Sequence, residues 1–222
     1  LVNSAVFGFS QHIPKIIGIL ILPIITKYLT DVDYGIAGTI AAYTGAIAVF
    51  STLGLNVVLT NSFFHSKYQY KWLWRQLYGF LQGWMIVFAV LQSILLYFVI
   101  PEEAKDNRIA IIILTNLSTV LFGATSLIGS THYILKQEVI PVAIRNIISG
   151  FITIFCNILF VVHFRMGYMG WYASSLIASI FINASYWWVV NKKWKMSPIF
   201  RFKRRTIKKY LKIALPTIPH YY

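Results

Sequence analysis

Charge is what this sequence has least of. Only 12% of its 222 residues are Asp, Glu, Lys or Arg, where a soluble domain carries roughly 25%. A mainly watery surface is thereby excluded, and a hydrophobic share of 58% points the same way. Acids are scarcer than bases, with 6 against 20, and none lies deep in a long apolar run. Cys156 is the one cysteine and sits among apolar neighbours, so no disulfide or thiolate metal cluster is expected. His12, His132, His163 and His220 stand at no metal-ligand spacing. The first apolar run is too long for a cleaved signal peptide, and no small-residue cleavage site follows it.

What fills the chain instead is long uncharged runs. Gly35 to Phe64, Leu77 to Pro101 and Ile109 to Leu135 hold no Asp, Glu, Lys or Arg. Each exceeds the ~20 residues that cross a bilayer as a helix. The pattern predicts helices at 5–27, 35–61, 77–100, 109–134, 140–163 and 168–190, with a seventh opening near Lys208. Lipid offers the backbone no hydrogen bonds, and nothing in the runs alternates with the period of a strand. The expected fold is therefore all-α, a polytopic transmembrane helix bundle. The chain starts at Leu1 and stops at Tyr222 inside an apolar segment, so it is expected to be a piece of a longer protein.

A net charge of +14 would suit nucleic acid, but the bases sit in connections between apolar runs and read as topology. The first, third and fifth connections hold four cations, Lys27, Lys105, Arg108 and Arg165. The second, fourth and sixth, with the approach to helix seven, hold thirteen, most of them between Lys192 and Lys209. Five acids (Asp31, Asp33, Glu102, Glu103 and Asp106) fall in the odd connections. The positive-inside rule then places the N-terminus and the basic loop 191–206 in the cytoplasm, with that loop on anionic headgroups of the inner leaflet. Trp72, Trp74, Trp171, Tyr172, Tyr186, Trp187 and Trp188 are expected as interfacial anchors. Gln82, Gln92, Asn116, Asn146, Asn157 and Asn183 either line a cavity or bond between helices.

Two cations fall within predicted spans. Lys15 lies about ten residues into helix one, ~15 Å deep at 1.5 Å per residue, beyond the easy reach of a snorkelling stem. Pro14 removes a backbone donor beside it, and Gln11 and His12 add polar groups to the same turn. Lys15 is thus either a ligand for an anionic substrate or a cation satisfied by nearby carbonyls. Arg145 is either an interface anchor or a phosphate ligand. His220 closes Ile218-Pro219-His220, which echoes Ile13-Pro14-Lys15 in helix one and hints at repeated halves. The same Ile-Pro pair also occurs at Ile100-Pro101 and Ile140-Pro141. Asp31-Val32-Asp33 fits an acidic external loop of a lipid-linked-sugar glycosyltransferase or, more simply, a turn opening helix two.

The order Leu22-Pro23-Ile24-Ile25-Thr26-Lys27-Tyr28-Leu29, Asp33-Tyr34-Gly35, Leu53-Gly54-Leu55-Asn56 and Tyr210 to Pro219 resembles the N-terminal half of polysaccharide flippases. These are the Wzx-type oligosaccharide-lipid exporters of the multidrug/oligosaccharidyl-lipid/polysaccharide exporter superfamily. Members commonly carry a basic residue after helix two, where this chain reads Thr60-Asn61-Ser62-Phe63, so no cation is carried over there. The resemblance implies residues 1–190 as the N-terminal six-helix lobe of a two-lobed exporter, 191–206 as a cytoplasmic inter-lobe loop and 207–222 as the start of a second lobe. It implies a lipid-linked oligosaccharide on undecaprenyl pyrophosphate as substrate, in the bacterial cytoplasmic membrane, with the polysaccharide assembly machinery as a further partner. Lys15, Arg145, His12, Gln11 and His220 become candidate substrate-binding residues; no catalytic residue, cofactor, metal or nucleic acid is expected. The competing readings are a multidrug exporter of the same superfamily and the glycosyltransferase.

Overall fold

A computed structural model describes residues 23–65, 69–201 and 204–221, and every regular element in them is helical. Helix α1 (Asp31–Ala48) opens on a capping box: the Asp33 N–H donates to Thr30 Oγ1 at 3.2 Å, and the Thr30 N–H donates to Asp33 Oδ2 at 2.8 Å. A 3-10 turn (Val49–Ser51) and a reversal at Leu53–Gly54, both at positive φ, lead into α2 (Asn56–His65). There follow α3 (Tyr70–Val99), a 3-10 segment (Glu102–Asn107), α4 (Arg108–Phe122), α5 (Thr125–Leu135), α6 (Ile140–Asn157) and α7 (Tyr168–Trp187). The last two run on as wider π-helical turns, Ile158–His163 and Trp188–Lys193. A short α8 (Arg204–Ala214) passes into a 3-10 stretch, Leu215–Tyr221.

Asp31–His65, Tyr70–Val99, Ile140–His163 and Tyr168–Lys193 are each long and apolar enough to cross a membrane. The 3-10 segment with α4, followed by α5, makes a fifth such stretch, bent by 56°. The protein is a helical transmembrane bundle. The expected helix at 5–27 lies outside the described residues except at its last residues. Other expectations change for physical reasons. The continuous helix expected over 35–61 starts at Asp31 and is broken by the reversal at Leu53–Gly54. Helix α3 starts at Tyr70 rather than at 77, because Trp74, Leu77, Tyr78 and Leu81 form one buried stripe along it. The continuous helix expected over 109–134 is broken at Gly123, whose φ of 50° and ψ of −127° suit glycine alone. Gln82 of α3 occupies the space that a Cβ there would need.

The connections gather at two ends. At one, Asp33 Oδ1 accepts from the Tyr168 N–H at 3.0 Å, and Asn107 donates to the Tyr168 hydroxyl at 2.8 Å. One carboxylate thus serves the starts of α1 and α7, which accounts for Asp31-Val32-Asp33 as a helix-opening turn. Beneath it Ile36, Ile40, Leu96, Ile100, Ala104 and Ile111 pack together. At the other end a larger core surrounds Trp74, whose indole N–H donates to Leu59 O and to Ser62 Oγ. Trp74 is therefore core, not the interfacial anchor expected of it, and so is Tyr186; Trp72 and Trp188 are exposed as an anchor would be. His132 is buried here too, ringed by Phe63, Tyr70, Trp74 and Trp194.

The basic loop is not free. The Ile199 N–H donates to Arg75 O at 2.9 Å, and Arg75 Nε donates to Ser197 O at 2.9 Å. Gly79 permits this approach, since any Cβ there would overlap Ile199. Residues 196–199 are thereby fastened to the start of α3, with Met196 buried.

The break at Gly123 generates a prediction. Gly123→Ala forces an alanine into a glycine-only conformation and pushes Gln82 aside, a cost of about 1–3 kcal/mol. It should lower the thermal unfolding midpoint in detergent by several degrees, whereas Gly83→Ala, with open space at its Cβ position, should not.

Candidate functional site

A cleft follows from where the helices fail to close. Two adjoining cavities, of about 440 and 480 Å³, share Ser51, Met85, Gly123 and Ser126 as walls. Every described span contributes: α1 through Thr44 and Gly45, α3 through Gln92, α4 through Thr119, α5 through Ser130, α6 through Asn146 and α7 through Asn183. The bend at Gly123 lies on both cavities, so the interrupted backbone faces the cleft rather than lipid. That is where irregular backbone is tolerated in a membrane.

A third cavity of about 340 Å³ continues the series, sharing Ala41 and Thr44 with its neighbour. Tyr34, Trp171 and Tyr172 bring aromatic surface to it, and Thr115 and Ser175 bring hydroxyls. Tyr34 and Trp171 meet edge to face at 5.9 Å. The three cavities form a track along the bundle, from Ile134 and Val142 near the basic end to Tyr34 and Trp171 near the acidic end. Its polar walls are hydroxyls and amides; no charged side chain lines these cavities among the described residues. Such walls exchange hydrogen bonds with a neutral, hydroxyl-rich ligand and leave water room to enter.

Arg145 stands at the rim. Its Nε donates to Ser185 Oγ at 2.6 Å and its Nη1 to Pro141 O at 2.7 Å. The guanidinium lies over the rings of Tyr133 at 5.3 Å and Tyr186 at 4.9 Å, so α5, α6 and α7 are joined through one cation. Asn146, the next residue, and Tyr186 line the cleft. Among the described residues, the two hydrogen bonds use two of the five N–H donors. Arg145 is thus a structural cation that keeps N–H donors beyond these two bonds.

Lys15, Gln11 and His12 lie outside the described residues. His220 belongs to the 3-10 stretch Leu215–Tyr221, and its side chain is outside what is described. Of the polar spots in the spans, Gln92, Asn146 and Asn183 line the cleft. Asn116 donates to Ser93 Oγ at 3.3 Å and joins α4 to α3, while Asn183 also donates to Ser118 Oγ at 3.0 Å. Sequence reasoning missed Thr44, Ser51, Thr119 and Tyr186. A signal was present in Ala41, Thr44, Ala48 and Ser51, which repeat as small or hydroxyl residues on one helical face.

The family model described as "Polysaccharide biosynthesis protein" matches residues 1–222. No curated protein and no solved structure matches the chain.

The clamp on Arg145 is testable by a double-mutant cycle. Arg145→Met and Tyr133→Leu should each lower stability in detergent, and their combination should fall short of the sum by about 1 kcal/mol. Strict additivity would mean that the ring contact contributes nothing.

Proposed function

The chain belongs to the polysaccharide biosynthesis protein family, and on that ground we propose that it is the first lobe of a flippase for lipid-linked oligosaccharides. The substrate is a sugar unit joined through pyrophosphate to undecaprenol, carried from the cytoplasmic to the external leaflet of a bacterial cytoplasmic membrane. In this reading 207–222 opens the second lobe, and 191–206 connects it to the first. The observation that carries this reading is the uncharged track between the two ends of the bundle, with hydroxyls and amides set among apolar walls in the described residues. Sugars need many weak hydrogen bonds without a fixed charge, and the hydroxyl and amide walls offer them. The lipid tail stays in the bilayer.

The pyrophosphate has to be met by cations. Lys15 supplies one from its depth in helix one, with Gln11 and His12 as donors beside it. Arg145 supplies the other from the rim, with donors beyond those that bond Ser185 and Pro141. His220 completes the set from the start of the second lobe. The N-terminus and the basic end face the cytoplasm, where the substrate is assembled. No bond is made or broken, so the protein works by binding and conformational exchange. A multidrug exporter would more often place a carboxylate within its spans, and none of the six acids lies deep in one. Of the acid pair that a transferase on the external face would use, Asp33 is already engaged by Thr30 and Tyr168.

Lys15 provides the experiment. In the complete protein, Lys15→Met at matched expression should abolish glycan export, and Lys15→Arg should retain part of it because the charge persists. Near-normal export by Lys15→Met would overturn the role of Lys15 and shift the charge to Arg145. Unchanged export in a Lys15→Met, Arg145→Met double variant would overturn the flippase reading itself.

A further inference from the structure

Helix α8 has two faces with opposite chemistry. Ile207 and Ala214 are buried, and Tyr210 and Leu211 pack against the core that contains Trp74. These four recur at helical spacing and make one stripe. Arg205, Lys208, Lys209 and Lys212 recur at the same spacing on another face, and all four are exposed. The apolar stripe holds the helix against the bundle and presents the basic stripe outward.

The surrounding chain enlarges that surface. Lys192, Lys193, Lys195 and Arg201 are exposed along the π-helical turn and the linker. The linker is held in place by the Arg75–Ser197 and Ile199–Arg75 bonds and by the close approach at Gly79. Cations are therefore presented from a fastened scaffold, not scattered on a free loop. Trp188 is 62% exposed and Phe200 64% exposed among them, the kind of ring that settles at headgroup level. Glu138 is the one acid at this end of the described bundle.

We propose that α8 and the docked linker form a binding surface for anionic phospholipid headgroups of the leaflet at the basic end. Charge complementarity selects the occupant, since a basic amphipathic helix beside membrane spans meets headgroup phosphates before any other anion. The rings interleaved with the cations favour a lipid surface over a soluble acidic partner. Each cation binds a headgroup as an exchangeable counter-ion, so the contact weakens with salt. This inference stands apart from the cargo of the cleft, because it concerns only residues outside the track.

The test uses the complete protein in nanodiscs of equal phosphatidylcholine and phosphatidylglycerol, with retained lipid counted by native mass spectrometry. Phosphatidylglycerol should be enriched about fivefold or more over phosphatidylcholine, and the enrichment should fall as salt is raised. Replacing Arg205, Lys208, Lys209 and Lys212 by Gln should return the ratio towards that of the bulk. Lys208→Arg with Lys209→Arg should keep it. Equal retention of both lipids by the unmodified protein would overturn the proposal, as would enrichment that survives both high salt and the four Gln substitutions. An acidic soluble protein as occupant would appear as protection of Lys208 and Lys209 from amine acylation in cells but not in the nanodiscs, and that too would overturn it.

Discussion

A peptide group in hydrocarbon has no water to bond, and this constraint shapes everything else in the molecule. It forces each membrane crossing to be a helix and makes any interruption costly unless protein or water satisfies the freed groups. The interruptions here fall where that condition is met. Gly123 turns the chain between α4 and α5 on the wall of the cleft. The reversal at Leu53–Gly54 is covered instead by Ala214 and Thr217, which lie within 3 Å of where a Gly54 Cβ would stand. Polar side chains of the spans line the cleft, bond between helices as Asn116 and Asn183 do, or turn back on their own helix as Thr153 and Ser174 do.

Packing and charge then divide the molecule along its length. The acidic end is built on short bonds: one Asp33 carboxylate receives Thr30 and Tyr168, and Lys105 pairs with Glu102 at 3.0 Å on the surface. Exposed pairs of that kind contribute little stability, so the Asp33 bonds and the Ile36–Leu96–Ile111 core hold this end. The basic end is built on rings around Trp74 and His132, with the linker clamped across α3. Between the two, no charged side chain lines the track among the described residues. That arrangement suits a passage for uncharged groups, with Arg145 beside it between α5, α6 and α7.

The helices were readable from the sequence because apolar runs leave no other backbone solution in lipid. Where reading failed, the cause lay in contacts distant along the chain. Trp74 looked like an interfacial ring until the Leu59 carbonyl and Ser62 hydroxyl were seen to receive its N–H. The linker was expected on headgroups and not docked on α3, because nothing local indicates that Gly79 leaves room for Ile199, 120 residues later. Gln92, Asn146 and Asn183 stood out as amides among apolar neighbours. Thr44 did not, because a threonine that donates to its own helix, here to Ile40 O at 2.7 Å, is an ordinary sight. Arg145 was visible as a charge, but its clamp between two tyrosines was not, since Tyr133 and Tyr186 belong to other helices.

The central claim is that the track is a water-filled passage for the sugar portion of a lipid-linked substrate. Thiol labelling along it measures this most directly. Single cysteines at Ser130, Ser126, Thr44 and Ser175 would be placed in the complete protein with Cys156 replaced by Ser, with a lipid-facing cysteine at Phe98 as reference. The account predicts that a small polar maleimide labels all four track positions, and that accumulation of lipid-linked oligosaccharide slows labelling there while leaving Phe98→Cys unchanged. Track positions that label no faster than Phe98→Cys, or labelling indifferent to the substrate, would contradict it.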